Sequence, residues 1–325
     1  MKPVIVVHGG AGEISDSRVQ PKLDGMRKAV REGYRILQQN QILDADFPSV
    51  AAEAVTAAVR VLEDLEAFNA GYGSVLTEDG EVEMDAGIME GKNLAYGAVG
   101  GIVKVKNAID VAAKVMNKSE HCFFAGAGAN RFAESQHVPE VSGESLKSPF
   151  AIRALERFRN SENITNEIDD ADEAPIVGKK EGSRGTVGAV ALDAHGHLAA
   201  ATSTGGLTGK LVGRIGDTPV IGAGVYADND SAAISTTGLG ESFLRALVAR
   251  RISEHVEKGE KSNVAIKRAL DFMEQRVGGD GGAVLVTQSG DIGIEWNSTR
   301  MGWAYACNGR LHSGCNRHED FDESI

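Results

Sequence analysis

Thr186 stands where one residue can become a complete catalyst. The octapeptide E-G-S-R-G-T-V-G, residues 181–188, runs from a charged segment straight into an apolar strand pattern that begins at Thr186. Cutting the Gly185–Thr186 bond frees an α-amine with a pKa of about 8 beside the threonine's own hydroxyl, so nucleophile and base become one residue. A glycine before the bond permits the strained backbone angles that such a cut requires. Three small, hydroxyl-rich and glycine-rich blocks follow: T-S-T-G-G at 202–206, G-R-I-G-D at 213–217 and S-T-T-G-L-G-E at 235–241. Their glycines let backbone N–H groups face a ligand, and their threonine hydroxyls can donate to a developing oxyanion. Arg214 and Asp217 read in two ways: as a surface ion pair, the ordinary outcome at that spacing, or as a grip on the carboxylate and ammonium of one amino acid.

The elements that must position these groups follow from periodicity. Pro3 to Val7 is a β-branched strand that stops at H-G-G-A-G. Helical spacing predicts helices at about Lys22 to Gln39 and Ser49 to Leu65, with Ala52, Val55, Val59 and Leu62 as the buried stripe of the second. Leu62 to Gly73 then bends through glycines and leaves carbonyls without helical donors, as a water-solvated capped turn or a monovalent-cation loop with Asn69 its notable polar group. Short alternating runs predict sheet from Ser74 to Val105, followed by helices at Ala108 to Met116, Phe123 to Ala133 and Pro149 to Phe158. Arg159 to Ser183 is polar, acidic in its middle and without sustained periodicity, which predicts a flexible linker over about 159–183. Beyond it, hairpins are predicted at Thr186 to Ala191 with His197 to Thr204, and at Asp280 to Thr287 with Asp291 to Trp296, with Gly302 to Cys307 as a further strand. Helices Glu241 to Val256 and Asn263 to Arg276 lie between the hairpins.

Composition narrows the function. The 325 residues are 42% apolar with 40 dispersed glycines, which fits one tightly turned globular unit. A net charge of −12 without a basic run argues against nucleic acid and for a small-molecule or peptide substrate. No stretch reaches membrane-spanning length and no signal peptide is evident at Met1-Lys2-Pro3-Val4, so a cytoplasmic setting is expected. The odd set Cys122, Cys307 and Cys315 points the same way. Serine-hydrolase elbow, zinc-helix and dinucleotide signatures are all missing. His312, Cys315 and His318 are expected in a surface loop rather than around zinc.

Taken in order, H-G-G-A-G, F-N-A-G-Y-G, R-G-T-V-G-A-V-A, T-S-T-G-G, G-R-I-G-D-T-P, G-A-G-x-Y-A-D-N and S-T-T-G-L-G-E resemble the plant-type L-asparaginase/isoaspartyl peptidase family of N-terminal nucleophile hydrolases. The likeness runs from about residue 4 to 306, with mild departures at Asn107-Ala108-Ile109 and Ser119-Glu120-His121. It implies a four-layer αββα sandwich in one domain, cut by the chain itself into residues 1–185 and 186–325. It further implies a dimer of such heterodimers, with no catalytic cofactor. Thr186 matches the family's nucleophile, Thr204 a supporting threonine, and Thr237 with Gly238 the oxyanion hole. Arg214, Asp217 and Gly240 match substrate-gripping positions, and Asn69 an asparagine near the nucleophile. The surrounding loop matches a structural sodium site built from the carbonyls of Leu62, Glu63, Leu65, Phe68, Ala70 and Tyr72. The implied reaction is hydrolysis of asparagine and of N-terminal isoaspartyl peptides. An aspartylglucosaminidase-like amidase and a catalytically silent scaffold are the alternatives.

Overall fold

Alternation in the first strand sets the layering. In β1 (Val4–Gly12), Ile5 and Val7 face a helix-covered core, while Val4 and Val6 face a second sheet. A computed structural model of the chain describes residues 1–161 and 185–325. After β1 come α1 (Asp16–Gln39), α2 (Val50–Glu63), β2 (Met84–Glu90), β3 (Ala95–Ile102), α3 (Ala108–Lys118), β4 (Phe123–Ala125), α4 (Gly126–Ser135) and α5 (Pro149–Ser161). The second part contains β5 (Val187–Leu192), β6 (Leu198–Thr204), β7 (Val225–Ala227), β8 (Ala232–Gly238), α6 (Gly240–Ala246), α7 (Val248–Glu257) and α8 (Ser262–Val277). It closes with β9 (Gly281–Thr287), β10 (Ile292–Trp296), β11 (Arg300–Cys307), β12 (Arg310–Gly314) and β13 (Phe321–Ser324).

Among the described residues a nine-stranded sheet has the order β13-β12-β11-β1-β5-β6-β2-β3-β4, and a four-stranded sheet the order β10-β9-β8-β7. The first core, with Met26, Val55, Val59 and Ile88, lies between helices α1 to α3 and the large sheet. The second, with Val190, Ala233, Val284 and Val286, lies between the two sheets. The third, with Ile234, Phe243, Ile252 and Ile266, lies between the small sheet and helices α6 to α8. This is the four-layer αββα sandwich. Each fully buried Val, Leu or Ile contributes about 1.5–3 kcal/mol, so the three cores together hold both sheets in fixed relation. Helix α2 is apolar nearly all round because it lies under the sheet, and Ser49 caps it by accepting from the Ala52 amide at 3.2 Å.

Several elements differ from the periodic reading. β1 continues through its glycines to Gly12, carrying a bulge between His8 and Ala11 where a loop was expected. The segment Phe123 to Ala133 opens as the short strand β4, parallel to β3, before turning helical. Glu241 to Val256 is two helices broken at Leu247, whose φ of 50° no helix accommodates. Residues 159–161 belong to helix α5, and the linker expected over 162–183 lies outside the described residues. His312 sits on strand β12 rather than in a loop, its ring stacked on Tyr305, while Cys315 is buried. No helix among the described residues is long and apolar enough to cross a membrane.

Candidate active site

β5 starts one residue after Thr186, so strand pairing fixes the threonine from both sides. Gly188 lies opposite His8 of β1 and Thr202 of β6, and only glycine fits there. A methyl group on Gly188 would collide with the Ser235 hydroxyl and lie 2.5 Å from His8 Nε2. Thr186 is 5% exposed. Its backbone N–H donates to Thr237 Oγ1 on β8 at 3.1 Å, and its own Oγ1 lies 3.0 Å from Thr218 Oγ1. Because Thr237 Oγ1 accepts that bond, its hydroxyl proton is left to donate elsewhere.

A small cleft gathers most of the expected residues: Gly185, Thr186, Thr204, Arg214, Asp217, Gly238 and Gly240. Gly206, Leu207 and Thr218 complete its lining. Thr204 ends β6 and accepts the Gly206 N–H at 3.0 Å. Asn69 braces that turn: its Nδ2 donates to the Gly206 carbonyl at 2.7 Å, its Oδ1 accepts from Val75 at 3.0 Å, and its carbonyl accepts from Gly205 at 3.0 Å.

Arg214 pairs with Glu241 rather than with Asp217: Nε donates at 3.0 Å and Nη2 lies 2.9 Å from the same Oε1. The surface-pair reading of Arg214 and Asp217 therefore falls. Both nevertheless border one point, because a methyl group on Gly240 would lie 2.7 Å from Arg214 Nη2 and 2.9 Å from Asp217 Oδ1. A guanidinium and a carboxylate flanking a gap held open by glycine suit a zwitterionic amino acid. Burial pushes Asp217 up to about 6, with the Arg214 charge the largest opposing influence and a hydrogen bond from Thr236 adding to it. Loop 213–217 is pinned from beneath. Buried Asp85 accepts from Gly101 at 2.8 Å and from Gly216 at 3.1 Å, and Glu83 accepts from Gly213 at 2.9 Å.

Sequence reasoning missed Thr218, Glu241, Asp85, Glu83 and Ser235. Thr218 lies inside the G-R-I-G-D-T-P block, so its place beside Arg214 and Asp217 was the available signal. His8, read only as the end of a strand, is fully buried with Nε2 2.6 Å from Ser235 Oγ. Burial holds its pKa down at about 3, against a hydrogen bond with the Thr186 backbone, so the ring is neutral.

The loop after α2, where the cation was expected, is lined by backbone oxygens. A methyl group on Gly73 would clash with the Phe68 carbonyl and lie 2.9 Å from that of Leu65 and 3.0 Å from that of Glu66, and one on Gly71 would clash with the Glu63 carbonyl. Carbonyl oxygens of Glu63, Leu65, Glu66 and Phe68 thus pack closely around Gly71 and Gly73, and carbonyl oxygens are the donor type a hard monovalent cation accepts. The carbonyls of Leu65 and Ala70 each accept one backbone N–H, which leaves a second lone pair on each, whereas that of Leu62 accepts from both Asp64 and Leu65.

Comparison with known proteins adds to this geometry. The asparaginase family model matches residues 1–314. An isoaspartyl peptidase/L-asparaginase of Bos taurus is 45% identical over 315 residues, covering 97% of this chain and 96% of the relative. The Homo sapiens protein of the same name is also 45% identical over 315 residues, with the same coverage of 97% and 96%. One from Danio rerio is 41% identical over 325 residues, covering 100% of this chain and 99% of its own.

Proposed function

The chain belongs to the asparaginase family, and from that premise we propose that it is a self-cleaving threonine hydrolase of L-asparagine and N-terminal isoaspartyl peptides. The observation that carries this reading is the convergence on one cleft of Gly185-Thr186 with Arg214, Asp217 and Gly240. A bond to be cut and a grip for an amino acid then share one site.

In the uncut chain, Thr186 Oγ attacks the Gly185 carbonyl. The C–N bond breaks as the C–O ester forms, and the nitrogen takes up the hydroxyl proton. Water then hydrolyses the ester, leaving the Gly185 carboxylate and a free Thr186 α-amine with its hydroxyl restored. In turnover, Arg214 takes the substrate α-carboxylate, sharing its guanidinium with Glu241, and Asp217 with the Gly240 carbonyl takes the α-ammonium. The β-carbonyl is thereby placed at Thr186. The neutral α-amine accepts the hydroxyl proton, Oγ attacks, and the ammonium so formed protonates the departing amine or ammonia. Thr237 and Gly238 stabilise the oxyanion, an effect of about 3 kcal/mol per donor. Water releases aspartate from the acyl-enzyme.

Thr186→Ala is expected to remain one 325-residue chain and to release no ammonia from asparagine. Two normal fragments on a denaturing gel of that variant would refute the mechanism. Three expectations belong to the same proposal: pairing of two cut protomers, a sodium ion in the 62–72 loop supported by its crowded carbonyls, and a cytoplasmic setting supported by three unpaired cysteines. Light scattering giving one heterodimer's mass, elemental analysis without sodium, or fractionation into another compartment would remove them one by one.

A further inference from the structure

Helix α1 buries Lys22 between apolar neighbours. The side chain is 8% exposed on the face that also carries Leu23 and Met26, a position where packing alone calls for a hydrocarbon. Its ammonium has a specific occupation, donating to the Gly9 carbonyl at 2.7 Å. Gly9 and Gly10 form the β1 bulge, with Gly10 at a φ of 101°. This double glycine is wedged. A methyl group on Gly9 would lie 2.6 Å from the Phe68 ring and 2.9 Å from Met26 Sδ. One on Gly10 would lie 2.9 Å from Gly185 Cα, 3.6 Å from the Gly185 carbonyl carbon and 3.9 Å from Lys22 Nζ. The backbone of β1 at Gly10 is therefore the wall against which the Gly185 backbone packs.

We propose that Lys22 is a positioning residue for cleavage of the Gly185–Thr186 bond: by gripping the Gly9 carbonyl it fixes the Gly9–Gly10 backbone against Gly185. The inference rests on the self-cleavage reading above and extends it to a group outside the cleft. Two glycines without side chains cannot lock their own conformation, so the rigidity of the wall has to come from something that holds their backbone. Phe68 and Met26 limit how far Gly9 can move, and the Lys22 bond fixes its orientation. Lys22 neither gives nor takes a proton in the reaction. Its effect ends with the cut, because Gly185 then parts from Thr186.

The test compares wild type, Lys22→Met and Lys22→Arg for the rate at which the fragment beginning at Thr186 appears, followed by mass spectrometry on freshly purified protein. Melting temperature is recorded for each, as are kcat and KM for asparagine per cut chain. Lys22→Met is expected to cut about tenfold or more slowly, the effect of losing one buried hydrogen bond to the Gly9 carbonyl. Its melting temperature and its turnover per cut chain should stay near wild type, and Lys22→Arg, which keeps an N–H donor, should recover part of the rate. A wild-type chain that never cuts removes the self-cleavage reading itself. A wild type that cuts while Lys22→Met keeps pace leaves that reading intact and overturns the role of Lys22. Slower cutting with an equal loss of melting temperature and turnover, or an arginine variant as slow as methionine, also overturns it.

Discussion

Asp217→Asn should make the protein more stable while ruining its grip on substrate. The carboxyl is 3% exposed, and burial lifts its pKa from 3.8 to about 6 with the Arg214 attraction already included. That difference of about two units means that keeping Asp217 ionised costs about 3 kcal/mol at neutral pH. The sign follows from proton uptake. Between pH 4 and 6 the folded state holds a proton that the unfolded state has released, so stability is lost as pH rises through that window and stays lost above it. Asparagine resembles the protonated acid in shape and never ionises. With about 2.1 cal/mol/K of unfolding entropy per residue, 3 kcal/mol over this chain corresponds to a melting shift of about 4 °C. The comparison belongs in a Thr186→Ala background, so that both proteins are single chains. Scanning calorimetry should find Asp217→Asn higher by about 4 °C at pH 7.5, by about half of that at pH 5, and hardly at all near pH 4. In the cleavable background its kcat/KM for asparagine should fall about a hundredfold or more, since the substrate ammonium meets no charge. Equal melting temperatures at pH 7.5, or an advantage that ignores pH, would refute the reasoning.

Two further outcomes follow from the same geometry. Gly240→Ala puts a methyl group within 3 Å of both Arg214 Nη2 and Asp217 Oδ1, so KM for asparagine should rise about tenfold or more; steady-state kinetics with an unchanged KM would dissociate Gly240 from the grip. Thr218→Val deletes the hydroxyl 3.0 Å from Thr186 Oγ1 at nearly constant volume, and should lower kcat about tenfold with KM little changed while Thr218→Ser recovers most of it. A fully active valine variant would show that Thr186 needs no such partner.

Much of the fold was legible because burial and strand period coincide. Ile5 and Val7 against Val4 and Val6 announce a strand covered on both faces, and the apolar stripe of Ala52, Val55, Val59 and Leu62 announces a core helix. β8 was harder, because Ser235, Thr236 and Thr237 look like a polar loop although all three are buried with partners in other elements. Of the cleft, Thr186, Arg214 and Asp217 could be named from ordered motifs, but each motif taken alone left the ion-pair reading open. In the fold Arg214 pairs with Glu241, 27 residues away, and not with Asp217. Thr218 and Asp85 act across larger separations, and Lys22 across a shorter one of 13 residues, through hydrogen bonds that no local periodicity encodes. The break at Leu247 was invisible for another reason: hydrophobic spacing continues through a left-handed residue unchanged.

The order of strands in the large sheet has a consequence for the two halves of the chain. Reading across it, β13, β12 and β11 come from beyond residue 185, β1 from before it, β5 and β6 from beyond, and β2, β3 and β4 from before. The halves are interlocked like the fingers of two folded hands, and β1 is hydrogen-bonded on both edges only to strands of the other half. Opening the Gly185–Thr186 bond would break none of those ladder hydrogen bonds, since the bond lies outside every strand. Pulling the halves apart would strip β1 of its partners on both edges, so the ladders across the seam oppose separation.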